Sequence, residues 1–104
     1  MARALWQGQV IAQTDTPVMF DNNVYFPPEA LNRDFFSASD HTSLCPWKGT
    51  ASYYTLTHGN AVSANAAWVY RDPLPKAEAI RDHVAFWRDV TVELRRSPLH
   101  RDRP

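Results

Sequence analysis

Thr50-Ala51-Ser52-Tyr53-Tyr54-Thr55-Leu56-Thr57, then His58-Gly59-Asn60, then the run Ala61 to Tyr70, is the stretch on which the fold turns. Its first eight residues are dominated by Thr and Tyr, side chains that suit a pleated, half-buried surface. At period two, Thr50, Ser52, Tyr54 and Leu56 fall on one face, and Ala51, Tyr53, Thr55 and Thr57 on the other. His58-Gly59-Asn60 supplies the turn, and on the return run Ala66, Trp68 and Tyr70 alternate against Ala67 and Val69. Such a unit is a β-hairpin. It predicts a mainly β fold.

The flanking segments are punctuated in the same way. Upstream, residues 4–7 and 9–13 are short β-compatible runs hinged at Gly8, and Thr14-Asp15-Thr16-Pro17 is a turn cluster. Val18-Met19-Phe20 and Val24-Tyr25-Phe26 flank Asp21-Asn22-Asn23, whose asparagines tolerate positive φ and suit a tight hairpin turn. Pro27-Pro28 ends that hairpin, because neither residue can donate to a ladder. Residues 28–33 then read as one helical turn, with Pro28 near its first position. From Phe35 to Pro46 the chain is polar and reads as a long irregular connection, of the kind that carries function in small domains. Downstream, Arg71-Asp72-Pro73-Leu74-Pro75 breaks the sheet, and residues 76–82 are expected to be helical. Residues 84–94 fit two periods. Val84, Phe86, Val90, Val92 and Leu94 share a strand face interrupted by Arg88, whereas Ile80, Val84, Trp87 and Leu94 share a helical one. The β-branched and aromatic content favours a short helix followed by a strand.

A chain of 104 residues is one domain, here a β domain over 1–95 with a flexible C-terminal tail at 96–104. The 44% hydrophobic content supports a core without disulfide or metal staples. Zero formal net charge speaks against nucleic acid or an anionic membrane as partner, since binding either needs clustered cations. A single cysteine, no 18-residue apolar run and no signal-peptide core near the N-terminus place the expected location in the cytoplasm. His41, Cys45, His58, His83 and His100 are too scattered for a structural zinc site, so neither metal nor cofactor is expected.

Polar chemistry is concentrated in Asp40-His41-Thr42-Ser43-Leu44-Cys45-Pro46-Trp47-Lys48-Gly49-Thr50. If the following strand extends back through Gly49, then Lys48, Thr50, Ser52 and Tyr54 project from one face. A cation, two hydroxyls and a phenol on one surface suit an anionic or carbonyl group. Cys45 is the candidate nucleophile, with His41 or Lys48 positioned to stabilise its thiolate. Each residue also has a plain structural reading: Cys45 as a small buried hydrophobe, His41 and Lys48 as solvated side chains, Trp47 and Trp68 as core.

Tyr25-Phe26-Pro27-Pro28 with Leu31-Asn32, then His41 through Tyr54 around Cys45-Pro46-Trp47-Lys48-Gly49, then Ala66-Ala67-Trp68-Val69-Tyr70 and Val84-Ala85-Phe86, together resemble the bacterial family known as domain of unknown function 427. The resemblance spans about residues 4–94. It implies a β-tent-like fold, two small antiparallel sheets packed at an angle with one or two short helices, and it favours strand over helix at 84–94. The family also carries a nucleotidyltransferase label, but the paired carboxylates that hold Mg²⁺ in such chemistry have no counterpart here. Related tent folds include zinc-stabilised ligand-binding domains and methionine sulfoxide reductases; this chain departs from both in lacking their zinc-ligating cysteine pairs.

Three functional readings follow. In the first, Tyr25, Trp47, Tyr54 and Trp68 wall a pocket for a small polar or anionic molecule, with Lys48 and Ser52 as polar contacts. In the second, Cys45 is the nucleophile of an enzyme assisted by Lys48 or His41. In the third, the loop merely closes a sheet in a structural module. Exposed sheet edges leave room for a homodimer.

Overall fold

The computed structural model describes residues 1–95; the tail expected at 96–104 lies outside the described residues. Among the described residues nine strands, all paired antiparallel, make three sheets. The first has the order β2-β1-β9, from β1 (Ala2–Trp6), β2 (Gln9–Thr14) and β9 (Thr91–Leu94). The second is the hairpin β3 (Val18–Phe20) with β4 (Asn23–Tyr25). The third has the order β5-β6-β7-β8, from β5 (Phe36–Cys45), β6 (Gly49–His58), β7 (Ala61–Val69) and β8 (Val84–Phe86). The mainly β, antiparallel class expected from the sequence is what the chain adopts. Three sheets arise because the β3–β4 hairpin keeps its own ladder and reaches β8 only at one point. There the Phe26 and Val84 amides donate to each other's carbonyls at 2.8 Å.

The hairpin turns follow from the residues that fill them. Asp21 and Asn22 both have positive φ (51° and 64°), as a two-residue turn matched to strand twist requires. Gly59, at φ 59°, serves the β6–β7 turn.

Three local expectations are corrected. The polar stretch 36–45 is not an irregular loop but an edge strand paired along β6. Its ladder is made by backbone groups, and most of its side chains are exposed, so no hydrophobic alternation announces it. A bulge between Ala38 and Thr42 further breaks the period. Second, residues 76–82 form no α-helix; Pro75–Ile80 is 3₁₀ and kinks at Ala77 (φ −113°). Burial of Ala77 and Ile80, three residues apart, fits the tighter 3₁₀ period. Third, residues 84–94 are two strands, as the family resemblance implied, rather than the helix then strand that composition favoured. Arg88, at φ 60°, lies in the turn between them. Among the described residues no helix is long and apolar enough to cross a membrane.

In the four-stranded sheet, residues of β6, β7 and β8 are buried on both faces, and this is what positions the site. Leu56, Ala67, Val69 and Phe86 enter a core shared with Trp6 and Ile11 from the first sheet and with Phe26. On the opposite face Ala51, Tyr70 and Ala85 meet Tyr25, Ala77 and Ile80 in a second core. A strand covered on both sides has no polar face, which explains the unbroken apolar run Val84-Ala85-Phe86.

Asp89, in the turn before β9, ties the first core's rim together. It accepts hydrogen bonds from Ser63 Oγ (2.6 Å) and Trp6 Nε1 (2.9 Å), which hold its carboxyl below the usual carboxylate range. A carboxyl with a lowered folded pKa contributes stability above its unfolded value and loses that contribution as pH falls through the folded value. Thermal unfolding followed from about pH 5 to about pH 2, across the ordinary Asp range, is therefore expected to show a steeper acid loss in the wild type than in Asp89→Asn. Parallel curves would remove Asp89 from the acid response.

Candidate functional site

The site is assembled around Lys48. Cys45 pairs with Gly49 across the β5–β6 turn, leaving Pro46, Trp47 and Lys48 as its loop. Gly49 sits at φ +112°, a conformation that L side chains rarely adopt. The Lys48 carbonyl accepts the Leu74 amide at 2.9 Å, anchoring the loop to the segment after β7. Trp47 stacks on Phe20 of β3, with ring centres 5.6 Å apart. Lys48 Nζ donates to Asp21 Oδ2 at 2.7 Å, in the turn of the same hairpin. Loop and hairpin thus clasp each other.

This clasp turns the Lys48 ammonium inward. The residue is only 9% exposed, and its Nζ lies 5.7 Å from the centre of the Tyr70 ring and 5.4 Å from that of Trp47. Burial works against its charge, but the Asp21 hydrogen bond and the Tyr70 and Tyr25 phenols outweigh it and push the pKa up, so Lys48 stays an ammonium at neutral pH. With Tyr53, Trp68, Tyr70 and Trp87 it lines a concavity of about 200 Å³. Trp68 meets both Tyr25 and Trp87 edge to face, and its indole N–H donates to Tyr25 Oη at 3.1 Å. Burial pushes the Tyr25 and Tyr70 phenols up, leaving both protonated at neutral pH.

The residues singled out in the sequence separate into two groups. Lys48 and Trp68 line the aromatic concavity, Tyr25 is wholly buried behind Trp68, and Trp47 stands beside Lys48 at 42% exposure. His41 is exposed, with its ring 4.6 Å from that of Tyr53. Ser52 and Tyr54 do not share a surface with Lys48. Tyr54 packs on the first core, and Ser52 lines a second concavity, of about 500 Å³, together with Cys45, Gly49 and Arg71. The positive φ at Gly49 breaks the alternation that the pleat would otherwise carry back to residue 48. Cys45 itself is half-buried against the second core. Tyr53, Tyr70, Trp87 and Asp21 were not legible as site residues. Tyr70 shares the period-two face of Trp68, and a strand entered through glycine is the signal that Lys48 belongs to the Tyr53 face. Nothing local marks Trp87 or Asp21. Among the described residues no three His, Cys, Asp or Glu side chains are grouped to hold a metal ion.

A family profile matches residues 1–96 of the chain. The chain belongs to the DUF427 family. The family's description is Domain of unknown function (DUF427), under the short name NTP_transf_9. No curated protein matches the chain. In this DUF427 domain the Cys-Pro-Trp-Lys-Gly block is the turn that buries Lys48 among aromatic rings, so the most distinctive block of the resemblance and the site's geometry coincide.

Proposed function

We propose that this domain binds a small molecule with a flat body and an anionic or carbonyl acceptor in the concavity beside Lys48. The observation that carries this reading is a buried ammonium of which Asp21 takes one N–H, at the wall of a hollow made of four aromatic side chains. An ammonium has three donors, and a buried one gains from further acceptors. Tyr53, Trp68, Tyr70 and Trp87 supply flat apolar surface for stacking, and the Tyr70 phenol is a further donor. About 200 Å³ lies below the span of drug-sized sites, roughly 300–1,000 Å³, which favours a ligand the size of a simple metabolite.

The test is a fragment screen of small aromatic and heteroaromatic carboxylates by ligand-observed NMR, with Trp fluorescence as a second readout. Lys48→Met keeps the stem and removes the charge, and it is expected to weaken any hit by about tenfold or more, the worth of one charge-assisted hydrogen bond. Cys45→Ala is expected to leave affinity nearly unchanged, because Cys45 is not among the side chains lining this hollow. A hit as tight in Lys48→Met as in the wild type, or lost in Cys45→Ala, would sink the reading.

A further inference from the structure

On the opposite side of β6 from Lys48, two arginines converge on one phenol. Arg71, just past β7, donates to Tyr54 Oη at 2.9 Å and lies 5.5 Å from the Tyr54 ring centre. Arg33, from the 3₁₀ turn Arg33–Phe35, reaches the same oxygen at 3.5 Å and the Pro28 carbonyl at 3.5 Å. All three side chains are anchored by separate elements, so the convergence is tertiary, not a run of basic residues.

Neither guanidinium has a carboxylate within 4.0 Å among the described residues, in contrast to Arg3, Arg81 and Arg95. The carboxylate next in sequence, Asp72, sits 3.6 Å from Arg81, which also engages Glu78 through two hydrogen bonds of 2.6 and 2.9 Å. Arg81 Nη1 also donates to the Arg71 carbonyl at 3.2 Å. A guanidinium carries five N–H donors, of which Arg71 spends one on Tyr54. Tyr54 Oη accepts from both arginines, which leaves its own O–H to donate outward. Arg71 also lines the concavity of about 500 Å³ that holds Ser52, Thr50 and Asp72.

We infer that Arg33, Arg71 and the Tyr54 hydroxyl form a binding site for a phosphoryl group, distinct from the Lys48 hollow. Two like charges brought to one oxygen repel, and a dianion between them relieves that repulsion while accepting from both forks. A tetrahedral phosphate has acceptors enough for two forks and a phenol O–H; a carboxylate has too few. The Ser52 and Thr50 hydroxyls beside Arg71 would meet whatever group the phosphate carries.

The experiment is a ³¹P NMR titration of the full chain with inorganic phosphate and, separately, with glycerol 3-phosphate. Saturable binding is expected in the wild type and in Lys48→Met. Arg71→Gln and Arg33→Gln, both at exposed positions, are each expected to weaken it by about tenfold, and Tyr54→Phe by a smaller factor. Circular dichroism verifies that each variant is folded. Tighter binding of glycerol 3-phosphate assigns the phosphoryl group to an organic ester, and equal binding assigns it to free phosphate; both support the site. Absence of saturation in the wild type, undiminished binding in folded Arg33→Gln and Arg71→Gln, or loss in Lys48→Met alone would overturn it.

Discussion

Phe26→Ala is expected to lose about 3–5 kcal/mol of stability, the range for removing a buried aromatic ring from a packed core. Phe26 is fully buried, meets Phe86 edge to face at 5.5 Å, and carries the two hydrogen bonds that join the β3–β4 hairpin to β8. The ring is the apolar part of that joint. Its loss leaves a cavity where the hairpin, the four-stranded sheet and the first core meet, and backbone pairing on both sides resists collapse into it. Domains of this size have a total stability of roughly 5–15 kcal/mol, so the variant sits near the edge of folding at 37 °C. Urea unfolding reads the effect as a large drop in midpoint with the slope unchanged. Phe26→Leu, which keeps most of the volume, is expected to lose clearly less. A loss below about 1.5 kcal/mol for the alanine variant would mean that the site relaxes and that the hairpin is held by other contacts.

Gly49→Ala is expected to cost about 1–3 kcal/mol and, at the same time, to weaken ligand binding at Lys48. Space is not the obstacle, since an added β-carbon would stand 3.4 Å from the Asp72 carbonyl oxygen and from the Leu74 nitrogen, an ordinary contact. The obstacle is the φ of +112°, which an L side chain adopts only under strain. Relief comes by rotating the turn, and rotation moves the Lys48 carbonyl off the Leu74 amide and the Lys48 side chain out of its hollow. Gly8→Ala makes a fitting comparison: its φ is also positive, at 72°, but its turn bears no site residue. Both variants should lose stability, and Gly49→Ala alone should lose affinity. Unchanged affinity in Gly49→Ala would show that the turn can relax without moving Lys48.

Much of the architecture was readable wherever a local pattern and a packed face coincide. The β6–β7 hairpin declares itself because Ala67 and Val69 point into one core and Tyr70 into the other, so the period-two pattern has a physical cause on each side. The β3–β4 hairpin declares itself through Asp21-Asn22-Asn23, although the positive φ falls on Asp21 and Asn22 and the second asparagine, Asn23, is already in β4. β5 was missed for the complementary reason. Thr42, Ser43 and Leu44 pair with β6 through main-chain groups that every residue has, while their side chains stay in solvent. The helix expected after Pro75 failed because only Ala77 and Ile80 are buried, too few to stabilise α-helical turns over the 3₁₀ alternative.

The candidate site divides along the same line. Composition and alternation by themselves determined a mainly β domain and a polar segment around Cys45-Pro46-Trp47-Lys48-Gly49, and the residues quoted from it also carried the family; the single face they implied for Lys48, Ser52 and Tyr54 does not form. Which side of the sheet each group faces was decided only in three dimensions. Alternation is a property of the pleat and holds only while φ stays in the β region, so one glycine at +112° was enough to place Lys48 with Tyr53 and away from Ser52 and Tyr54. Trp87 joins Lys48, and Arg33 meets Arg71 over Tyr54, across gaps of tens of residues that only the packing of the sheet and its flanking turns closes.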